Sequence, residues 1–242
     1  MGVDDEGRVR SFVEKPEDPQ AIPGKPGLSL ANMGVYVFET DVLIETLCSD
    51  AGAPTRHDFG HDILPMMLRQ GNVYAYPFID ENKKEVRYWR DIGTLDAYYE
   101  ASMDLVDVQP VFNLYDRRWP IRTCPRQLPP AKTVFAQDEP GGRRGVALDS
   151  LVSGGAIISG GRVERSVLSP HVRVNSYADV RASVLMDGVD VGRYARLNRT
   201  IVDKGTRIPP HFVVGEDPAR DRERFVVTER GVTVITREMK FD

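Results

Sequence analysis

From about residue 150 onward the chain repeats itself with a step of 17 residues. Ser166-Val167-Leu168, Ser183-Val184-Leu185 and Thr200-Ile201-Val202 recur at that step, as do Val172 with Val189, Val174 with Val191, Ala178 with Ala195, and Val180 with Leu197. An earlier turn, Ser150-Leu151-Val152, precedes the series by 16. Within each period a small or β-branched residue returns about every sixth position, as in Val172, Ala178 and Val184, then Val189, Ala195 and Ile201. This is the hexapeptide pattern of a parallel β-helix, in which three short strands make a triangular coil and one small aliphatic side chain per strand points into the bore. Three regular hexads would give about 18 residues per coil, so each coil here lacks one residue at a corner. Antiparallel hairpins that resemble one another by chance are the competing reading, and the agreement of four turns in register speaks against it. Phe225-Val226-Val227 and Val232-Thr233-Val234-Ile235 flank Glu229-Arg230-Gly231 and read as a hairpin that closes the end of the solenoid.

The first half has a different grammar. Asp4-Asp5-Glu6-Gly7 is a turn cluster and Arg8 to Val13 alternates as a half-buried strand, so the chain opens inside a hairpin. Pro16, Pro19, Pro23 and Pro26 with Gly24 and Gly27 predict an irregular loop without regular elements. Leu28 to Phe38 reads as a second strand region, 41–47 as a helix with Val42, Leu43 and Leu47 as its apolar stripe and Thr40 or Asp41 as N-cap, and Gly60 to Gln70 as a helix ended by a left-handed Gly71. Asn72 to Ile79 predicts a third strand and Leu95 to Val106 a third helix. Alternating strands and helices make this half α/β. Five prolines between Pro110 and Pro130 describe a packed connector, and the polar run Asp138 to Gly145 a flexible loop. The expected organisation is therefore an α/β part over 1–107, a connector over 108–145 and a β-helix over 146–242.

With 32 basic and 36 acidic residues the formal charge is −4, which offers no large positive field for a nucleic-acid backbone. Cys48 and Cys124 build neither a disulfide framework nor a zinc site by themselves. No apolar run approaches the roughly 20 residues that span a bilayer, and no signal peptide is visible, so a cytoplasmic protein is expected.

Two segments carry candidate chemistry. Phe12-Val13-Glu14-Lys15-Pro16 ends a strand with two charges, and the stop imposed by Pro16 lets both turn into a cleft. A lysine there can bind phosphate and a glutamate can accept from sugar hydroxyls, although an exposed Glu-Lys pair is also an ordinary solvated strand end. Tyr88 to Thr94 places Asp91 at a strand-to-helix junction, where a carboxylate either binds Mg²⁺ or caps the helix, with Thr94 the competing cap. His57 and His61 stand four apart, but Asp58-Phe59-Gly60 between them favours a helix start over a metal pair.

Taken in order, Phe12-Val13-Glu14-Lys15-Pro16, Met33 to Phe38, His57-Asp58-Phe59-Gly60, Tyr88 to Tyr98, Asp116 with Trp119-Pro120-Ile121-Arg122, Pro129-Pro130-Ala131-Lys132 and Leu151-Val152-Ser153-Gly154-Gly155 resemble the bacterial glucose-1-phosphate adenylyltransferases. The resemblance covers essentially the whole chain. It implies part of a Rossmann-like nucleotide-diphospho-sugar transferase sheet followed by a left-handed parallel β-helix, and an enzyme that joins ATP and glucose 1-phosphate to give ADP-glucose and pyrophosphate in glycogen biosynthesis. It implies that Lys15 binds the sugar phosphate, that Glu14 holds glucose hydroxyls, that Asn32 stands where the family usually has a glucose-contacting serine, and that Asp91 is a ligand of a Mg²⁺ cofactor. It also implies a homotetramer controlled by phosphorylated effectors, with basic family positions at Lys204 and Arg237 and Phe241 where the family can carry another arginine. The family's glycine-rich nucleotide loop has no counterpart before Asp4, which marks the chain as the C-terminal part of such an enzyme, inactive alone. Alternatives are a nucleotidyltransferase for another sugar 1-phosphate, a non-catalytic scaffolding subunit, and a hexapeptide acyltransferase. The last would want a histidine on an extended coil loop, whereas His171 sits in a regular repeat.

Overall fold

A computed structural model describes residues 1–22, 24–71, 73–80, 85–124 and 126–241. Pro23, Asn72 and Pro125, which fall in segments read above, lie outside the described residues. The chain divides into two compact units, Met1–Arg87 and Tyr88–Asp242.

The second unit is built on the repeat. Strands of successive coils stack in parallel on three faces. The first face holds Lys132–Val134, Ile157–Ser159, Arg173–Val174, Asp190–Val191 and Arg207–Ile208. The second holds Val146–Leu148, Arg162–Glu164, Asp179–Arg181, Arg196–Asn198 and Val213–Val214. The third holds Leu151–Val152, Val167–Leu168, Val184–Leu185, Thr200–Val202 and Thr233–Ile235, with Val226–Val227 added antiparallel at its end.

Left-handed backbone at the corners turns the chain from face to face. One column of corners is Gly155, His171, Gly188 and Gly205, the next Gly160, Tyr177, Tyr194 and His211, and the third Asp149, Arg165, Ala182 and Arg199, all at positive φ. Each non-glycine member bears roughly 1–2 kcal/mol of local strain, which the stacked rungs on either side hold in place. The positions of these corners locate the missing residue. The second side is five residues long in every coil, while the other sides are six, except that the first coil is five on its first side as well. Hence the step of 17 and the single step of 16.

Each face sends one apolar column into the bore: Ile158, Val174, Val191 and Ile208; Val163, Val180, Leu197 and Val214; Leu168, Leu185, Val202 and Ile235. Every one is essentially inaccessible, and each such side chain contributes about 1.5–3 kcal/mol of burial. The buried hydroxyls are satisfied by a ladder of their own: the amides of Ser166, Ser183 and Thr200 donate to the side-chain oxygens of Ser150, Ser166 and Ser183 at 3.1, 3.1 and 3.2 Å. At the C-terminal end Phe212 packs edge-on against both Phe225 and Phe241, so the expected closing hairpin is reinforced by an aromatic plug.

In the first unit Gly2–Val3 and Val9–Ser11 pair as the expected hairpin, with the Asp4 carboxylate accepting from the amides of Glu6 and Arg8. Two expectations need correction. The Pro/Gly-rich loop contains an antiparallel ribbon, Ala21–Ile22 with Lys25–Ser29, which accommodates Pro26 because a two-stranded ribbon has open edges that need no N–H. Conversely, no strand is formed over 30–39, because no described segment lies alongside to pair its backbone, and Val35 and Val37 are exposed. The sheet half of the expected architecture is thus represented in this chain by short antiparallel ribbons, the third being Ile79–Asp80 with Glu85–Val86, and by a bridge from Arg8 to Tyr74.

Helix α1, Thr40–Ala51, is capped by neither Thr40 nor Asp41; Glu39 is its N-cap residue, without a side-chain bond. Its inward face is Leu43, Thr46 and Asp50 rather than the Val42-Leu43-Leu47 stripe, for Val42 and Leu47 are exposed. The helix read over 60–70 is present, but its first turn, Phe59–Ile63, is π-helical before it continues as α2, Leu64–Gln70, and Gly71 closes it in the left-handed region as expected. Helix α3, Leu95–Asp104, belongs to the second unit. No helix among the described residues is long and apolar enough to cross a membrane.

Candidate sugar-phosphate site

The strand Val9–Ser11 ends before Phe12, and the chain bends at Glu14-Lys15. Lys15 lies at φ 47°, a left-handed conformation in a residue that precedes proline. Such a conformation in a non-glycine residue stores about 1–3 kcal/mol and persists only where surrounding structure holds it. Lys15 is exposed and pairs with no carboxylate among the described residues. Glu14 is half-buried, and its carboxylate lies against the backbone of Gly60: a Cβ built on Gly60 would stand 2.6 Å from Oε2.

Gly60 is in the π-helical turn, which Asp58 caps by accepting from the His61 amide at 2.8 Å. That bond, then the His61 ring, hold the Asp58 carboxyl below its ordinary value. His57 and His61 do not converge on a metal: His61 Nδ1 faces Asp58, and His57 Nδ1 donates to Asp50 Oδ2 at 2.8 Å.

Asn32 is tied locally at both ends of its amide. Nδ2 donates to the Tyr36 hydroxyl at 2.7 Å and Oδ1 accepts from the Gly34 amide at 3.1 Å. The Tyr36 ring is stacked on Phe59 with centroids 5.4 Å apart and planes 19° apart, and Phe38 leans on both. Glu14 and Asn32, 18 positions apart in sequence, therefore meet the same turn, the first through Gly60 and the second through Tyr36 and Phe59. The sequence reading missed this junction; the visible signal was a glycine in the first turn of a helix, where alanine is preferred.

Asp91 is exposed, in the second unit. It does not cap α3, since Thr94 does so by accepting from the Ala97 amide at 3.1 Å. Asp91 Oδ1 instead accepts from the Gly93 amide at 3.0 Å, which leaves Oδ2 outward. Its neighbour Arg90 is fixed by Asp104 at 2.6 Å and Glu100 at 3.2 Å. Lys204 and Arg237 are both exposed and follow by two residues the paired positions Val202 and Ile235, so the register brings them to adjacent corners. Phe241 is part of the aromatic plug.

Residues 1–108 match a family described as nucleotidyl transferase, and residues 129–235 a family described as GlmU-like, C-terminal hexapeptide. Over 240 residues the chain is 54% identical to the glucose-1-phosphate adenylyltransferase of Koribacter versatilis, covering 98% of this chain and 57% of the relative. The enzymes of the same name from Rhodopirellula baltica and Nitrosospira multiformis are 53% and 51% identical over 98% and 99% of this chain, and 54% and 56% of their own length. The chain belongs to the glucose-1-phosphate adenylyltransferase family. It spans about half the length of these relatives. Within this adenylyltransferase-family chain the nucleotidyl transferase match extends beyond the first compact unit and takes in α3.

Proposed function

We propose that this chain carries the sugar-phosphate site and the regulatory β-helix of an enzyme that makes ADP-glucose and pyrophosphate from ATP and glucose 1-phosphate, for glycogen biosynthesis. The observation that carries the reading is the match along 98% of the chain to enzymes of that name. In this reading ATP is held by the part of the relatives that the chain does not span.

The chemistry asked of these residues is positioning and charge neutralisation. A phosphate oxygen of glucose 1-phosphate attacks the α-phosphorus of ATP in line and pyrophosphate leaves. Lys15, an uncommitted cation on a bent backbone, would hold the sugar phosphate. Glu14 would accept from glucose hydroxyls, and Asn32, with one N–H and one carbonyl lone pair left over, can do either. Asp91 presents one free carboxylate oxygen, which suits Mg²⁺, an ion commonly held by one or two carboxylates together with water and substrate phosphates. When bound it would neutralise charge on the reacting phosphates. Lys204 and Arg237 would receive a phosphorylated effector. A cytoplasmic homotetramer completes the reading, on the strength of the family resemblance.

The test is Lys15→Ala in an enzyme of the relatives' full length that carries this chain. Loss of a charge-assisted bond of about 1.5–3 kcal/mol should raise KM for glucose 1-phosphate roughly ten- to a hundredfold and leave KM for ATP nearly unchanged. Equal effects on both substrates would refute the assignment.

A further inference from the structure

The turn that Glu14 and Asn32 share has a composition its own backbone does not require. Gly60 is not among the residues at positive φ, so no left-handed conformation calls for glycine there. Glycine within a helical turn is disfavoured relative to alanine by about 1 kcal/mol. Something else must exclude a side chain. A Cβ at Gly60 would lie 2.6 Å from Glu14 Oε2, 2.9 Å from Glu14 Cδ and 3.3 Å from Asp58 Oδ1. Asp58 is pinned by the His61 amide and ring. Glu14 has no hydrogen-bond donor of its own among the described residues, so Glu14 is the group that would have to leave.

The residue before it holds the other side chain. Phe59 stacks on Tyr36, and the Tyr36 hydroxyl accepts from Asn32 Nδ2. Without that platform the amide loses the partner that sets its orientation.

We propose that Phe59 and Gly60 are positioning residues for the sugar: Gly60 is the seat of the Glu14 carboxylate, and Phe59 orients Asn32 through Tyr36. The inference rests on the reading of Glu14 and Asn32 as sugar ligands. It predicts that disturbing the turn weakens recognition of the glucose moiety and spares recognition of phosphate, which falls to Lys15. A structural role alone would weaken both or neither.

The experiment is titration of the 242-residue chain with glucose 1-phosphate and, separately, with inorganic phosphate, followed by amide chemical shifts. The variants are Gly60→Ala, Glu14→Ala, their combination, and Phe59→Leu, with circular dichroism to confirm folding. Gly60→Ala should weaken glucose 1-phosphate binding about tenfold, one lost oriented hydrogen bond, and leave phosphate binding within about twofold. Because the two changes act on one group, the double variant should bind no more weakly than Glu14→Ala alone. Undiminished glucose 1-phosphate binding by Gly60→Ala, equal losses for both ligands, or additive losses would overturn the proposal while leaving the sugar site standing. If Gly60→Ala does not fold, Phe59→Leu decides by the same comparison, with selective loss of glucose 1-phosphate expected. Absence of any glucose 1-phosphate response in the unaltered chain would instead remove the sugar-site reading, and this inference with it.

Discussion

Asp50 shows how a single residue acquires its meaning from its neighbours. It is buried at the C-terminal end of α1, where a carboxylate opposes the helix dipole. His57 Nδ1 and Thr55 Oγ1 each donate to it at 2.8 Å, and these bonds, the His57 bond first, hold its carboxyl below the ordinary 3.8. A carboxyl lowered in the folded state contributes stability above its unfolded value and loses it as the pH falls through the folded one. The first unit should therefore lose stability below about pH 4, and Asp50→Asn should lose less over that range while starting from a lower stability near neutrality. Urea unfolding at pH 6 and pH 3.5, read from probes in Met1–Arg87, checks this. Parallel losses in the two proteins would show that the trio does not govern the acid response. No apolar periodicity signals Asp50, because its role comes from a contact across seven positions.

At the scale of elements, α3 explains why the repeated tripeptides are apolar at two successive positions. In Val167-Leu168, Val184-Leu185 and Ile201-Val202 the second residue enters the bore, and the first faces outward to a cluster that includes Tyr99, Tyr98 and Met103 of α3. Tyr99 is 4% exposed and donates its hydroxyl to the Ala182 carbonyl at 2.7 Å. Burial raises its hydroxyl above the ordinary 10.0. Thr228 and Arg230 of the closing hairpin bond Asp96 and Glu100 on the same helix. Tyr99→Ala should destabilise the second unit by about 3–5 kcal/mol and Tyr99→Phe by about 1–2 kcal/mol, measured by chemical denaturation. A loss below about 1 kcal/mol for the alanine variant would mean that α3 is not part of the solenoid's folding unit. The helix itself was legible from its spacing. Its partner was not, since alternation on one strand cannot say what covers the outward side.

For the whole molecule, the two units differ in how much of their own apolar surface they cover. The bore of the second is continuous from Ala156 to Ile235, whereas the buried apolar residues of the first are few, Val9, Ile63, Leu64 and Met67 among them, and Val13, Val35, Val37 and Tyr76 lie open. Regulation, if it acts through the solenoid, is a property of this larger scale. In an enzyme of the relatives' full length, Lys204→Ala and Arg237→Ala should each lower the apparent affinity for a sugar-phosphate activator, with turnover in its absence within about threefold of the unaltered enzyme and a loss of coupling of roughly 1–3 kcal/mol. Activator titrations at fixed substrate measure it. Unchanged half-saturation in both variants would exclude this corner.

The sequence by itself determined the β-helix, its 17-residue coil, its closing hairpin and the family, because a solenoid is a local code: each coil meets only its neighbours, so the pattern in the chain is the pattern in the bore. It also pointed to Glu14, Lys15, Asn32 and Asp91 through motifs. Tertiary structure alone decided that the shortened side is the second, where left-handed corners can close five residues, that Thr94 and not Asp91 caps α3, and that α3 seals the third face. It alone decided that Glu14 and Asn32 converge on Phe59 and Gly60. Those features depend on contacts between segments far apart in the chain, and on pairing partners whose presence no periodicity within a segment can report.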